Sequence, residues 1–185
     1  MTVATYKILF LGASGAGKTT AIGSISNTPP VRTEVANNDP SLSKALTTVG
    51  LDYGEVTAPG QGDQLMLYGC PGQQRYEFMW EILARGSLGV VILCDNQSAD
   101  PLDELRHYLD VLQRYLEGDV AVVIGVVKMD LSPTPELERY AEVLEAQGLA
   151  FPVMGVDVRQ RDEVLLLLEA VVCQVEARAL LEGAH

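Results

Sequence analysis

The sequence predicts an α/β fold of three layers, with about six strands in a mostly parallel sheet and helices on both faces. Three observations carry this. Apolar runs of strand length alternate with segments of helical spacing along the chain, the pattern of repeated strand-helix-strand units. The runs at 89–94 and 120–127 are apolar without alternation, which means burial on both faces of a sheet covered by helices. Gly12-Ala13-Ser14-Gly15-Ala16-Gly17-Lys18-Thr19 joins the apolar run Ile8-Leu9-Phe10-Leu11 to Thr19-Thr20-Ala21-Ile22, a glycine-rich turn from a strand into a helix.

In order, residues 6–11 read as the first strand and 17–26 as the first helix, ended by Asn27-Thr28-Pro29-Pro30. Proline restricts both itself and the residue before it, so a helix stops there. The interval 28–46 shows neither a helical nor a strand period, and a loop of that length in a compact domain is more often functional than idle. Residues 47–56 have strand composition, and the Pro- and Gly-containing loop 58–63 separates them from 64–68, so the two read as a hairpin. Phe78, Met79, Ile82 and Leu83 give 76–84 a helical spacing, closed by Arg85-Gly86. After the strand at 89–94, Asp100 is a good N-cap for an amphipathic helix over 101–116. The strand at 120–127, a helix over 134–147 behind Ser132-Pro133, a short strand at 151–156 and a closing helix over 160–181 complete the alternation. The closing helix reads as a core-packing element, and no internal repeat is visible.

A chain of 185 residues, 48% hydrophobic, suits one well-buried domain spanning 1–185. The formal charge of −12 argues against a nucleic-acid backbone or an anionic membrane as partner, since both repel it. Cys70, Cys94 and Cys173 are odd in number and lack metal-type spacing, which fits a reducing cytoplasm. No signal peptide, membrane-length apolar run or lipidation motif is present, so a cytoplasmic protein without its own anchor is expected.

The glycine-rich turn is a complete match to G-x-x-x-x-G-K-[ST], the phosphate loop. Backbone N–H groups from Ser14, Gly15, Ala16, Gly17, Lys18 and Thr19, with Thr20 following in the first helical turn, are the expected phosphate cradle. Lys18 reaches the β- and γ-oxygens and the Thr19 hydroxyl ligates Mg²⁺. In a parallel sheet ligands bind beyond the carboxyl ends of the strands, so the next candidates are Thr48-Val49-Gly50-Leu51-Asp52, Gly69-Cys70-Pro71-Gly72-Gln73, Val127-Lys128-Met129-Asp130 and Gly155-Val156-Asp157.

This order of loops resembles the small Ras-like GTPases over nearly the whole chain, and it implies a Ras-like G domain that binds GTP and GDP with Mg²⁺. Thr48 matches the switch threonine of T-x-G-x-D, whose hydroxyl completes Mg²⁺ coordination in the triphosphate state. Gly72 and Gln73 match the second switch, where the Gly N–H meets the γ-phosphate and the Gln orients the attacking water. Lys128 and Asp130 match the base motif N-K-x-D, with Asp130 accepting from guanine N1 and N2 and the Lys128 stem over the base. Val156 matches the backbone donor to guanine O6.

Departures from that pattern sharpen the resemblance. Gly69 stands where the family has an Asp, and the form Tyr68-Gly69-Cys70-Pro71-Gly72-Gln73-Gln74-Arg75 followed by Met79-Trp80-Glu81-Ile82-Leu83 is similar to bacterial MglA-like GTPases and especially to the actinobacterial conservon GTPases. Asp52, on the neighbouring strand, is the candidate to supply the missing carboxylate; a residue that merely ends the strand pairing is the alternative. Val127 replaces the Asn that ties the base loop to the phosphate loop, so guanine selectivity is expected to persist with weaker affinity. Thr47 stands where MglA-like members carry an arginine; Arg32 and Arg75 read as solvated charges. Slow intrinsic hydrolysis, raised by a partner, follows, and the resemblance implies a Roadblock-type regulator. Asp95 reads as a turn residue, His107 as a helix-surface residue remote from the loops, and Phe78, Met79 and Trp80 as an interface anchor if exposed. Two rival readings are a GTP-binding scaffold with negligible hydrolysis and an ATP-dependent small-molecule kinase. The kinase needs an arginine-rich lid, and the chain, with 13 Lys and Arg in all, shows no such cluster.

Overall fold

The computed structural model describes residues 4–29, 31–35, 49–57, 62–73, 76–115 and 120–182. Among them, β1 (Thr5–Gly12), β2 (Val31–Val35), β3 (Val49–Thr57), β4 (Gln64–Gly69), β5 (Gly89–Asp95), β6 (Ala121–Val127) and β7 (Val153–Gly155) form one sheet in the order β2-β3-β4-β1-β5-β6-β7. The five strands from β4 to β7 in that order are parallel. β2 and β3 add an antiparallel edge. The α/β architecture is as expected, with one strand more than the sequence suggested: β2 lies inside the aperiodic interval 28–46.

The helices are α1 (Lys18–Ile25), α2 (Glu77–Ala84), α3 (Pro101–Tyr115), α4 (Leu137–Ala146) and α5 (Arg161–Glu182). The central strands bury both faces, as their unalternating sequences require. One layer joins Ile22 and Ile25 of α1 and Val164, Leu167, Leu168 and Val171 of α5 to Phe10, Val91 and Val123. That α5 spacing of three and four residues is a single helical stripe. The other joins Trp80, Leu105, Leu109, Leu112, Tyr140 and Leu144 to Leu9, Leu11, Ile92 and Ile124.

Local chemistry sets the boundaries. Asp100 caps α3 by accepting the Asp103 N–H at 3.0 Å, with Pro101 at the first helical position, where its missing N–H costs nothing. The helix expected over 134–147 begins only at Leu137, because Pro133 and Pro135 push the residues before them out of the helical region. Among the described residues no helix is long and apolar enough to cross a membrane.

β1 lies where the order of connections reverses, with β4 on one side and β5 on the other. A crevice therefore opens beyond its carboxyl end, at the turn into α1.

Candidate functional site

The turn from β1 into α1 is built to hold an anion. Gly17 caps α1 with φ 87°, a left-handed conformation that glycine adopts without a Cβ penalty. The first turn of α1 carries no acidic residue of its own, so the positive end of its backbone dipole is available to an anion. Lys18 is buried, and its Nζ donates to the carbonyls of Gly12 at 2.7 Å and Ala13 at 2.8 Å. Burial lowers its pKa to about 8, while Cys70 and Asp52 pull the other way. Burial also pushes the Cys70 thiol up to about 12, so at neutral pH Asp52 is the charge that steadies the ammonium.

Asp52 is 8% exposed, and Thr19 Oγ1 donates to its Oδ2. In the β3–β4 register Asp52 stands opposite Gly69. A Cβ built at Gly69 lies 3.0 Å from Asp52 Cβ and 3.3 Å from Asp52 Oδ2, so the carboxylate already occupies the space beside the glycine. It lines a 310 Å³ cavity with Lys18, Thr19 and Gly72. Two hard oxygens, from Thr19 and Asp52, therefore converge at the phosphate loop, a donor set that fits Mg²⁺. Among the described residues no group of three or more His, Cys, Asp or Glu is assembled as a metal cage, and Mg²⁺ beside phosphates needs only one or two protein ligands.

Gly72 packs directly on the phosphate loop. A Cβ there comes within 2.3 Å of Gly12 O, 2.5 Å of Ala13 C and 2.6 Å of Ser14 N, so glycine is required for this approach. The Gln73 side chain is exposed, and its carbonyl accepts the Tyr76 N–H at 2.9 Å, leading into α2. Thr48 and Arg75 lie outside the described residues, as does the side chain of Arg32.

The second half of the cleft is a 490 Å³ pocket that shares Gly15, Gly17 and Thr20 with the first. Lys128, Met129 and Asp130 line it. Lys128 has φ 62°, and its carbonyl accepts the N–H groups of Leu131 and Ser132 at 3.1 and 3.0 Å, closing a tight loop. Its Nζ pairs with Asp95 Oδ2 at 2.5 Å. Asp95 also accepts the Gln97 N–H at 3.0 Å, the turn role expected of it. Asp130 is exposed, with Arg159 Nη2 at 3.6 Å. Arg159 in turn binds Asp157 through Nε and Nη2, both at 2.8 Å, and these hydrogen bonds hold the Asp157 carboxyl down to about 2.

Two expectations need correction. Val156 donates its N–H to Val126 O at 2.9 Å, so this group belongs to the sheet ladder and is not free for a base oxygen. Trp80 is 1% exposed, with Nε1 donating to Pro71 O at 3.0 Å. It is a core residue bracing the loop before Gln73; the exposed apolar side chains of α2 are Phe78 and Ile82, at 55% and 65%. His107 of α3 has its Nε2 2.9 Å from Glu77 Oε1, and its ring meets those of Trp80 and Tyr108. It packs α3 against α2.

Sequence reasoning missed Arg159 and Asn96, the second buried just beyond β5. The Asp157-Val158-Arg159 spacing signals a short ionic turn, but nothing in Asp95-Asn96-Gln97 reveals which side chain turns inward.

The family described as "conserved hypothetical ATP binding protein" matches residues 43–177. This stretch holds Asp52, Gly72, Gln73, Lys128 and Asp130 and begins after Thr19. Among curated proteins the chain is similar to the GTP-binding protein YPTM1 of Zea mays, 20% identical over 177 residues, covering 93% of this chain and 80% of the relative. It is similar to the Ras-related protein RabC of Dictyostelium discoideum, 22% identical over 177 residues, with 93% and 84% covered. The Ras-related protein Rab-10 of Caenorhabditis elegans is 23% identical over 150 residues, with 79% and 69% covered.

Proposed function

The chain belongs to the family described as conserved hypothetical ATP binding proteins, and from that premise and the cleft we propose that it is a small GTPase switch, binding GTP and GDP with Mg²⁺. The observation that carries this reading is the Asp130 carboxylate at a pocket continuous with the phosphate loop. A carboxylate accepts from guanine N1–H and from its exocyclic amine, whereas adenine N1 carries no hydrogen. The guanine choice is thus argued from chemistry; the family description, which names ATP, favours the second reading, an adenine nucleotide at the same site.

Thr19 and Asp52 are the side chains that would hold Mg²⁺, with Thr48 expected to join in the triphosphate state. Bound there, the ion neutralises charge on the β- and γ-phosphates. Lys18 leaves its two carbonyls to meet the same oxygens. Gln73 follows Gly72 at the loop that abuts the phosphates and is the group we assign to orient the attacking water. Among the described residues no arginine lines the phosphate end to meet the charge that develops during transfer. Intrinsic hydrolysis is slow on this account and rises when a partner, proposed to be a Roadblock-type regulator, meets α2 at Phe78 and Ile82. The absence of an arginine among the described lining residues also suits a scaffold that binds without turnover, which a turnover assay with and without the regulator distinguishes.

Calorimetric titration with GDP, a slowly hydrolysed GTP analogue and ATP tests the base. Guanine binding that exceeds ATP binding by orders of magnitude and collapses in Asp130→Ala is the expected result. Equal binding of ATP would overturn the guanine reading and leave the adenine one standing.

A further inference from the structure

We propose that Asn96 is a positioning residue for base recognition, holding the loop that carries Asp130 at the mouth of the pocket. The proposal rests on the reading of that loop as the base contact. Asn96 is 2% exposed and its backbone N–H donates to Val127 O at 3.1 Å, where β6 gives way to the loop. Its Nδ2 donates to Ser132 O at 2.6 Å and to Pro135 O at 3.2 Å. Its Oδ1 accepts the Tyr140 hydroxyl of α4 at 2.6 Å. Both amide hydrogens and the amide oxygen are therefore used. The two carbonyls can only accept, which fixes the orientation of the amide.

Three elements meet at this one side chain: the end of β5, the far end of loop 128–135, and α4. The loop start is held separately, by the Lys128–Asp95 pair. Position 127 is a valine, with no side-chain group to add a tie. Among the described residues Asp130 itself is met by the solvent-exposed approach of Arg159, which water and salt screen. Without Asn96, two half-buried carbonyls lose their donor, a cost the loop escapes by moving outward to water. Asp130 moves with it. The phosphate loop, at the carboxyl end of β1, makes none of these bonds.

That separation supplies the test. Affinities of the full-length chain for GDP, ADP and inorganic tripolyphosphate are measured with Asn96→Ala and Tyr140→Phe, beside melting curves. Asn96→Ala should weaken GDP binding by about tenfold, and Tyr140→Phe by about threefold, with tripolyphosphate binding unchanged. If the alanine variant does not fold, the isosteric Asn96→Asp decides in the same way, because it sets an acceptor against the Ser132 and Pro135 carbonyls. A parallel fall of GDP and tripolyphosphate, or no fall of either, overturns the proposal, since a merely structural role moves both together. GDP and ADP binding alike in the unaltered protein would refute guanine recognition. The role of Asn96 is still decided then, because the nucleotide-to-tripolyphosphate ratio does not depend on which base is preferred.

Discussion

Asp52 faces Gly69 across the β3–β4 ladder, and its carboxylate fills the room that a side chain at position 69 would need. The acid missing from one strand thus has a counterpart on the next, hydrogen-bonded to Thr19. Asp52→Ala is expected to lower Mg²⁺ affinity about tenfold, an unchanged value removing Asp52 from the metal site. Gly69→Asp alone should destabilise, as its Cβ meets Asp52 Cβ and Ile22 Cδ1 at 3.0 Å. The exchange Asp52→Gly with Gly69→Asp should recover part of the Mg²⁺ dependence, as read by nucleotide titration with and without the ion.

Lys18 should make phosphate binding pH-dependent. Its ammonium form binds the anion, and burial brings its pKa in the ligand-free protein to about 8. GDP affinity should therefore be level below that value and fall about tenfold per pH unit above it. The stability of the ligand-free protein moves the other way. Between about 8 and the ordinary value of 10.5 the unfolded chain keeps a proton that the native one has lost, so stability rises with pH across that window. Below it, folding bears the whole cost of the buried charge. Thermal melts of the free protein from neutral pH to 10 check the sign.

Gly72→Ala should cost about 2 kcal/mol, because the added methyl meets backbone that cannot rotate away. A lower melting temperature and a lost difference in affinity between a GTP analogue and GDP are the expected readouts.

Arg159→Ala should release Asp157. Its carboxyl, held at about 2 by the guanidinium, returns toward the ordinary 3.8, as followed by carboxyl carbon shifts in an NMR titration. An unchanged midpoint would show that the ion pair is not maintained in solution.

The phosphate end was legible because eight consecutive residues, Gly12 to Thr19, carry it between a strand and a helix. The unalternating runs of β5 and β6 likewise announced burial on both faces. β2 was missed: Val31-Arg32-Thr33-Glu34-Val35 alternates β-branched and charged residues, but the run is short and set in a long aperiodic interval, so its pairing with β3 is what establishes the strand. Val156 failed for a related reason. A backbone N–H leaves no mark in the side-chain pattern, so its ladder bond to Val126 appears only once β6 and β7 are aligned. Helical spacing in α2 does not say whether Trp80 is exposed, the condition on its serving as an interface anchor; the Pro71 carbonyl and the Tyr108 ring decide that it faces inward. Asp52 could be nominated because it sits within T-x-G-x-D, whereas Asn96 acts on a loop and a helix remote in sequence, and a motif written along the chain does not record such neighbours.

Trp80 is also the chain's single tryptophan. Its indole N–H is anchored to Pro71, two residues before Gln73, and its ring lies between α2 and α3. The molecule thus carries its own fluorophore at the joint between the phosphate contact and the helix that follows it. Any rearrangement of that joint changes the indole's hydrogen bond and its surroundings, so on the proposed function nucleotide exchange should be visible in stopped-flow emission without a dye, a label or an engineered residue.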